Sequence, residues 1–179
     1  IEGYLGTGQP VSPSVSLHTV QADGDLPPPP EETVFENGLA LVGLEWSEAG
    51  PPEPGREAHL LTEWHVADDV VLPPIPIVAQ PPPPKTYTGP RLAVFAHLLD
   101  AEGTVLDTDD GLWVDPLTLE KGDHFVQIHV FSVPVDPAVA PSFLAFGLYD
   151  PKTNERWQTV GAGDSLGADV VTIAIGGPE

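Results

Sequence analysis

Proline and glycine interrupt this chain at short intervals: 23 Pro and 18 Gly stand among 179 residues, more than one residue in five. Proline fixes φ and has no N–H to donate, so helix interiors and central strands avoid it. The chain stays just short of a low-complexity composition. Its 41% apolar content suffices for the core of one ordinary domain. What fits between the breaks is a set of short strands. The fold class expected is all-β: an Ig-like antiparallel β-sandwich at 34–179, preceded by an extended arm at 1–33 and carrying a Pro-rich insertion at 68–90.

Apolar runs bounded by turn residues locate about eight strands. Leu39 to Trp46 follows Asn37-Gly38 and stops at Gly50-Pro51-Pro52. Ala58 to Val66 alternates, with Ala58, Leu60, Thr62, Trp64 and Val66 on one face. A helix competes there, because Leu60, Leu61, Trp64 and Ala67 also fit a 3.6 period. Strand is preferred, since Pro54-Gly55 precede the run and no capping residue opens it. Leu92 to Leu99 is apolar on both faces and reads as an interior strand. Asp100-Ala-Glu-Gly103 turns it into a hairpin with Thr104 to Asp107. Phe125 to Val133, Ser142 to Tyr149, Glu155 to Val160 and Asp169 to Ile175 complete the set. Seven prolines fall within residues 73–84, so that segment is an extended insertion, and its Ile75, Ile77 and Val78 would gain from burial.

Charge narrows the partners. Six Lys and Arg stand against 27 Asp and Glu, a formal net charge of −21, which disfavours nucleic acid and anionic lipid. No apolar run approaches the 18 or so residues of a spanning helix. The absence of Cys removes disulfides, thiolate metal sites and Cys nucleophiles. An acidic, Cys-free, Pro-rich chain suits an exported protein, or a thermophile. With no Met and no signal peptide, the sequence reads as a mature product or a piece of a longer one.

The segments Phe95 to Gly103, Gly111 to Trp113, and Gly147 to Arg156 (GLYDPKTNER) resemble a β-sandwich module of Chloroflexota-type bacteria. That module commonly forms the C-terminal extracytoplasmic part of mannosyltransferase-like membrane glycosyltransferases, and it is similar to modules of secreted multidomain proteins. The likeness spans roughly residues 35–175. It implies a sandwich outside the cytoplasm and carries over no catalytic residue, because the transferase chemistry belongs to a membrane part absent from this sequence.

Asp107, Asp109 and Asp110, with Asp100 and Glu102, crowd one hairpin and make a weak Ca²⁺ candidate. They lack the ligand spacing of an EF-hand, and solvated turns are the simpler expectation, with no metal or other cofactor required. Trp46 and Trp64 lie inside apolar strands and should be core. Trp113 and Trp157 sit beside turns and are the candidates for stacking on a sugar ring. The six His are scattered: His59 and His65 share a strand face six residues apart, and His124 and His129 point to opposite faces. No Gly-x-Ser-x-Gly elbow is present. Gly161 to Gly167 precedes a terminal strand, so it is a loop and not a dinucleotide fingerprint.

The leading expectation is therefore a non-catalytic structural or interaction module of an extracellular or cell-surface assembly. Its arm residues Val11, Val15, Leu17 and Val20 would self-associate by adding a strand to a neighbour, in the manner of a filament subunit. The alternative is an accessory carbohydrate-recognition domain.

Overall fold

Strict alternation of side chains decides the strands. The computed structural model describes residues 32–47, 50–74, 89–161 and 167–175, together with the backbone of 3–4 and 10–11; within these, all regular structure is strand. The strands are β1 (Gly3–Tyr4), β2 (Pro10–Val11), β3 (Thr33–Val34), β4 (Leu39–Trp46), β5 (Glu57–Val66), β6 (Ala93–Leu99), β7 (Val105–Thr108), β8 (His124–Ser132), β9 (Phe143–Tyr149), β10 (Arg156–Trp157) and β11 (Val171–Ala174). In β5, Ala58, Leu60, Thr62, Trp64 and Val66 are buried and the residues between them are not. Pairing on both edges, to β4 and to β8, holds this segment extended where a helical period also fitted it.

Two antiparallel sheets result. One has the order β3-β4-β5-β8. The other has β10-β9-β6-β7, with β11 also on β9. The hairpins β4–β5 and β6–β7 are followed by β8 returning to β5 and β9 returning to β6. That connectivity is of the Ig type. Separately, β1 and β2 pair with each other, Gly3 opposite Val11. Val15, Leu17 and Val20 lie outside the described residues, as do Ile75, Ile77 and Val78.

The inner faces supply Trp64, Phe35, Phe131, Phe146 and a set of leucines, all fully buried, with Trp46 nearly so. Val70 and Leu72, at the start of the insertion, pack against this core. A polar patch is enclosed with it on the β5–β8 side. Trp64 Nε1 donates to Thr62 Oγ1 at 2.9 Å, and Gln127 Nε2 donates to the Gly111 carbonyl at 3.1 Å. His129 is fully buried. Its Nδ1 lies 3.2 Å from the Asp109 carbonyl, a pairing that puts the proton on Nδ1.

Both open sides of the sandwich are closed. At one side, 158–160 pairs with β3 and its continuation: Phe35 bridges Thr159, Glu36 N donates to Gln158 O at 2.9 Å, and Val160 N donates to Val34 O at 2.8 Å. At the other side the closure is made by side chains. Asp107 Oδ2 accepts the Ser132 N–H at 2.6 Å, and Asp109 Oδ2 accepts the Val130 N–H at 2.9 Å. Two outward N–H groups of β8 are thereby capped with charge, which removes part of an edge that could template another strand.

Candidate functional site

Register across three strands builds a cleft on the outer face of the β10-β9-β6-β7 sheet. Side chains alternate, so the faces follow from the pairing. Val94, Ala96 and Leu98 enter the core, which turns Phe95 and His97 outward. Phe95 pairs with Gly147, Ala93 with Tyr149, and Tyr149 with Arg156. On the other flank of β6, Gly111 bridges Val94, so the preceding Asp110 joins the outer face. The cleft is lined by Phe95, His97, Asp110, Tyr149, Asn154 and Arg156 and has a volume of about 330 Å³.

Each wall has a physical reason for its position. Phe95 is buried although it faces outward, because its ring lies over Gly147, where any Cβ would collide with it. The Arg156 guanidinium stacks on the outer side of that ring, 4.6 Å from its centroid, a cation–π arrangement. Arg156 also faces Asp169, with Nη1 to Oδ2 at 3.5 Å. Asp110 is held from two directions: its Oδ1 lies 3.3 Å from His97 Nε2, and its Oδ2 accepts the Tyr149 hydroxyl at 3.3 Å. Asn154 closes the β9–β10 turn with φ of 61°, a left-handed conformation that Asn tolerates better than most residues. Asp150 builds that turn by accepting the Lys152 N–H at 2.8 Å.

The structure revises several sequence-level site expectations. Trp157 pairs with Leu148, an inward residue, and is half-buried against the core, which reduces the ring surface left for stacking. Trp113 is 66% exposed, on the loop that follows Asp110. Asp107, Asp109 and Asp110 do not converge. The first two cap β8, the third binds His97 and Tyr149, and no metal-holding cluster of His, Asp and Glu occurs among the described residues. Asp100 is a turn former, accepting the N–H groups of Glu102 and Thr104. His129 faces inward and His124 outward. Burial pushes the His129 pKa down, with the nearby Asp109 pulling the other way.

Two groupings were not foreseen. The cleft residues come from four separate segments, united by the β6–β9–β10 register and, for Asp110, by the Gly111–Val94 bridge. On the opposite sheet, His65 and His124 pair directly across β5 and β8, their rings stacked at 4.5 Å. Glu32 Oε1 lies 2.7 Å from His65 Nδ1.

No protein-family profile and no curated protein matches the chain. Among solved structures it is similar to one described as the crystal structure of the C-terminal domain of wzt, with a TM-score of 0.40 and 15% identity over 84% of this chain and 81% of that one. By its own strand order the chain is an all-β, two-sheet sandwich.

Proposed function

We propose that this chain is a non-catalytic recognition module of an extracytoplasmic assembly, and that it takes a saccharide-sized ligand in the cleft on its outer sheet face. The observation that carries this reading is the convergence of two aromatic rings with His97, Asp110, Asn154 and Arg156 at one end of that face. Tyr149 gives an aromatic wall beside the buried Phe95, and the polar groups around it both donate and accept. Ligand sites combine apolar walls with a few placed polar groups in this way, and about 330 Å³ lies at the small end of their range. Binding without turnover is favoured because the lining offers one carboxylate, whereas glycoside hydrolysis uses two.

The test is a screen of mono- and oligosaccharides by ligand-observed NMR and calorimetry, with two variants. Tyr149→Ala removes a wall. Asn154→Gly removes a lining side chain while suiting the left-handed turn, so the fold should survive. Binding that both variants lose supports the reading. No binding to any sugar at millimolar concentration refutes it.

A second reading, assembly through the N-terminal arm, is favoured by a separate observation. The arm joins the body at Glu32, on a sheet face where Val126 and Val130 are exposed. Deleting residues 1–26 should leave a folded monomer that no longer assembles. An intact chain that is monomeric at high concentration refutes this reading.

A further inference from the structure

The two charged groups of the cleft are not equivalent. Asp110 has a donor on each oxygen, His97 on one and Tyr149 on the other, so the carboxylate is fixed in place. A carboxylate has about four acceptor positions and no proton to give. Those left over, on a side chain about a third exposed, are open to water or to a ligand O–H or N–H. Arg156, across Phe95, is half-committed elsewhere: its charge is opposed by Asp169 at 3.5 Å and its flat face is spent on the ring. The cleft therefore shows a ligand one carboxylate, held between His97 and Tyr149, and one guanidinium whose charge Asp169 opposes, within a chain of net charge −21. A ligand carboxylate placed here would meet like charge, which interfaces use to reject wrong partners.

Resting on the saccharide reading above, we infer that the cleft selects an uncharged pyranose over the corresponding uronic acid, and that Asp110 sets this choice. Neighbouring hydroxyls of one ring suit the cleft: one donates to Asp110, and the next accepts from Arg156 or Asn154. At about 330 Å³ the cleft lies at the small end of ligand-site volumes, which suits a single ring beside Tyr149.

The experiment titrates the intact chain with matched pairs, glucose and glucuronate, galactose and galacturonate, mannose and mannuronate, at low and physiological salt. The neutral member of the bound pair should bind at least about tenfold more tightly, with the gap narrowing as salt screens the repulsion. Asp110→Asn keeps the shape and removes the charge, and it should close most of the gap by raising uronate affinity. Asp169→Asn, outside the lining, frees Arg156 and should raise uronate affinity by more than it changes neutral-sugar affinity. Uronate binding equal to or tighter than its neutral partner overturns the inference and leaves the saccharide reading standing. So does a gap that persists in both folded variants. Binding by no member of any pair overturns the saccharide reading and this inference with it.

Discussion

Replacing Gly147 with alanine perturbs the floor of the cleft and the sheet beneath it together. Gly147 faces Phe95 in the β6–β9 register. A Cβ there would strike Cε1 and Cζ of the Phe95 ring and would lie 2.7 Å from the Asp169 carbonyl oxygen. The ring can swing aside, but the carbonyl belongs to backbone leading into β11 and moves only if that segment shifts. Overpacking of this kind costs about 1–3 kcal/mol. With both a ring and a backbone atom displaced, the upper half of that range, about 2–3 kcal/mol, is expected. For a domain of this size that corresponds to a fall in Tm of about 4–12 °C. Urea and thermal unfolding measure the loss. Because the displaced ring carries Arg156 with it, ligand affinity should fall even where the variant is fully folded. A Tm within about one degree of the parent, with unchanged affinity, would show that the Phe95 ring does not rest on Gly147.

Three further outcomes follow from the core and the seam. Trp64→Ala empties a fully buried site and removes the donor to Thr62, so it should cost about 3–5 kcal/mol; an unchanged urea midpoint would place the ring outside the core. His129 has a pKa below the ordinary 6.5 because burial disfavours its charged form, so the unfolded chain takes the proton first. Its contribution to stability is complete above about pH 6.5 and is lost as pH falls towards its lowered native value, and urea melts between pH 7.5 and 5.5 should show a shallower decline in His129→Gln. Chelation with EDTA should leave Tm unchanged, because Asp107 and Asp109 are occupied by backbone N–H groups; a calcium-dependent rise in Tm that Asp109→Asn abolishes would contradict that assignment.

The strands were legible because burial on one face writes itself into the sequence as alternation. Leu39 to Trp46 matches β4 at both ends, and Ala58 to Val66 and Phe125 to Val133 differ from β5 and β8 by a residue. The cleft was not legible in the same way. Phe95, Tyr149 and Arg156 are neighbours only through pairing across three strands, and nothing local in the sequence states which residue of β9 lies opposite Phe95. The same limit governed the tryptophans. Trp113 and Trp157 both flank turns, yet pairing with Leu148 turns one into the core while the other stays 66% exposed. The role of the acidic hairpin was hidden for a related reason: capping by Asp107 and Asp109 exists only because β7 runs beside β8. A clue was nonetheless present, since Asp107 and Asp109 are two residues apart and so share one side of an extended chain.

The direction of the outermost strands fixes where the backbone enters and leaves the sandwich relative to the cleft. Ala174 pairs with Phe143, so β11 runs out toward the end of the sheet that holds the Asp100–Gly103 turn. β3 is antiparallel to β4 and so is approached from that same side. The cleft lies toward the other end, where β9 turns into β10. The described backbone thus enters at β3 and leaves at β11 on the side away from the cleft, so neither point lies across the cleft mouth.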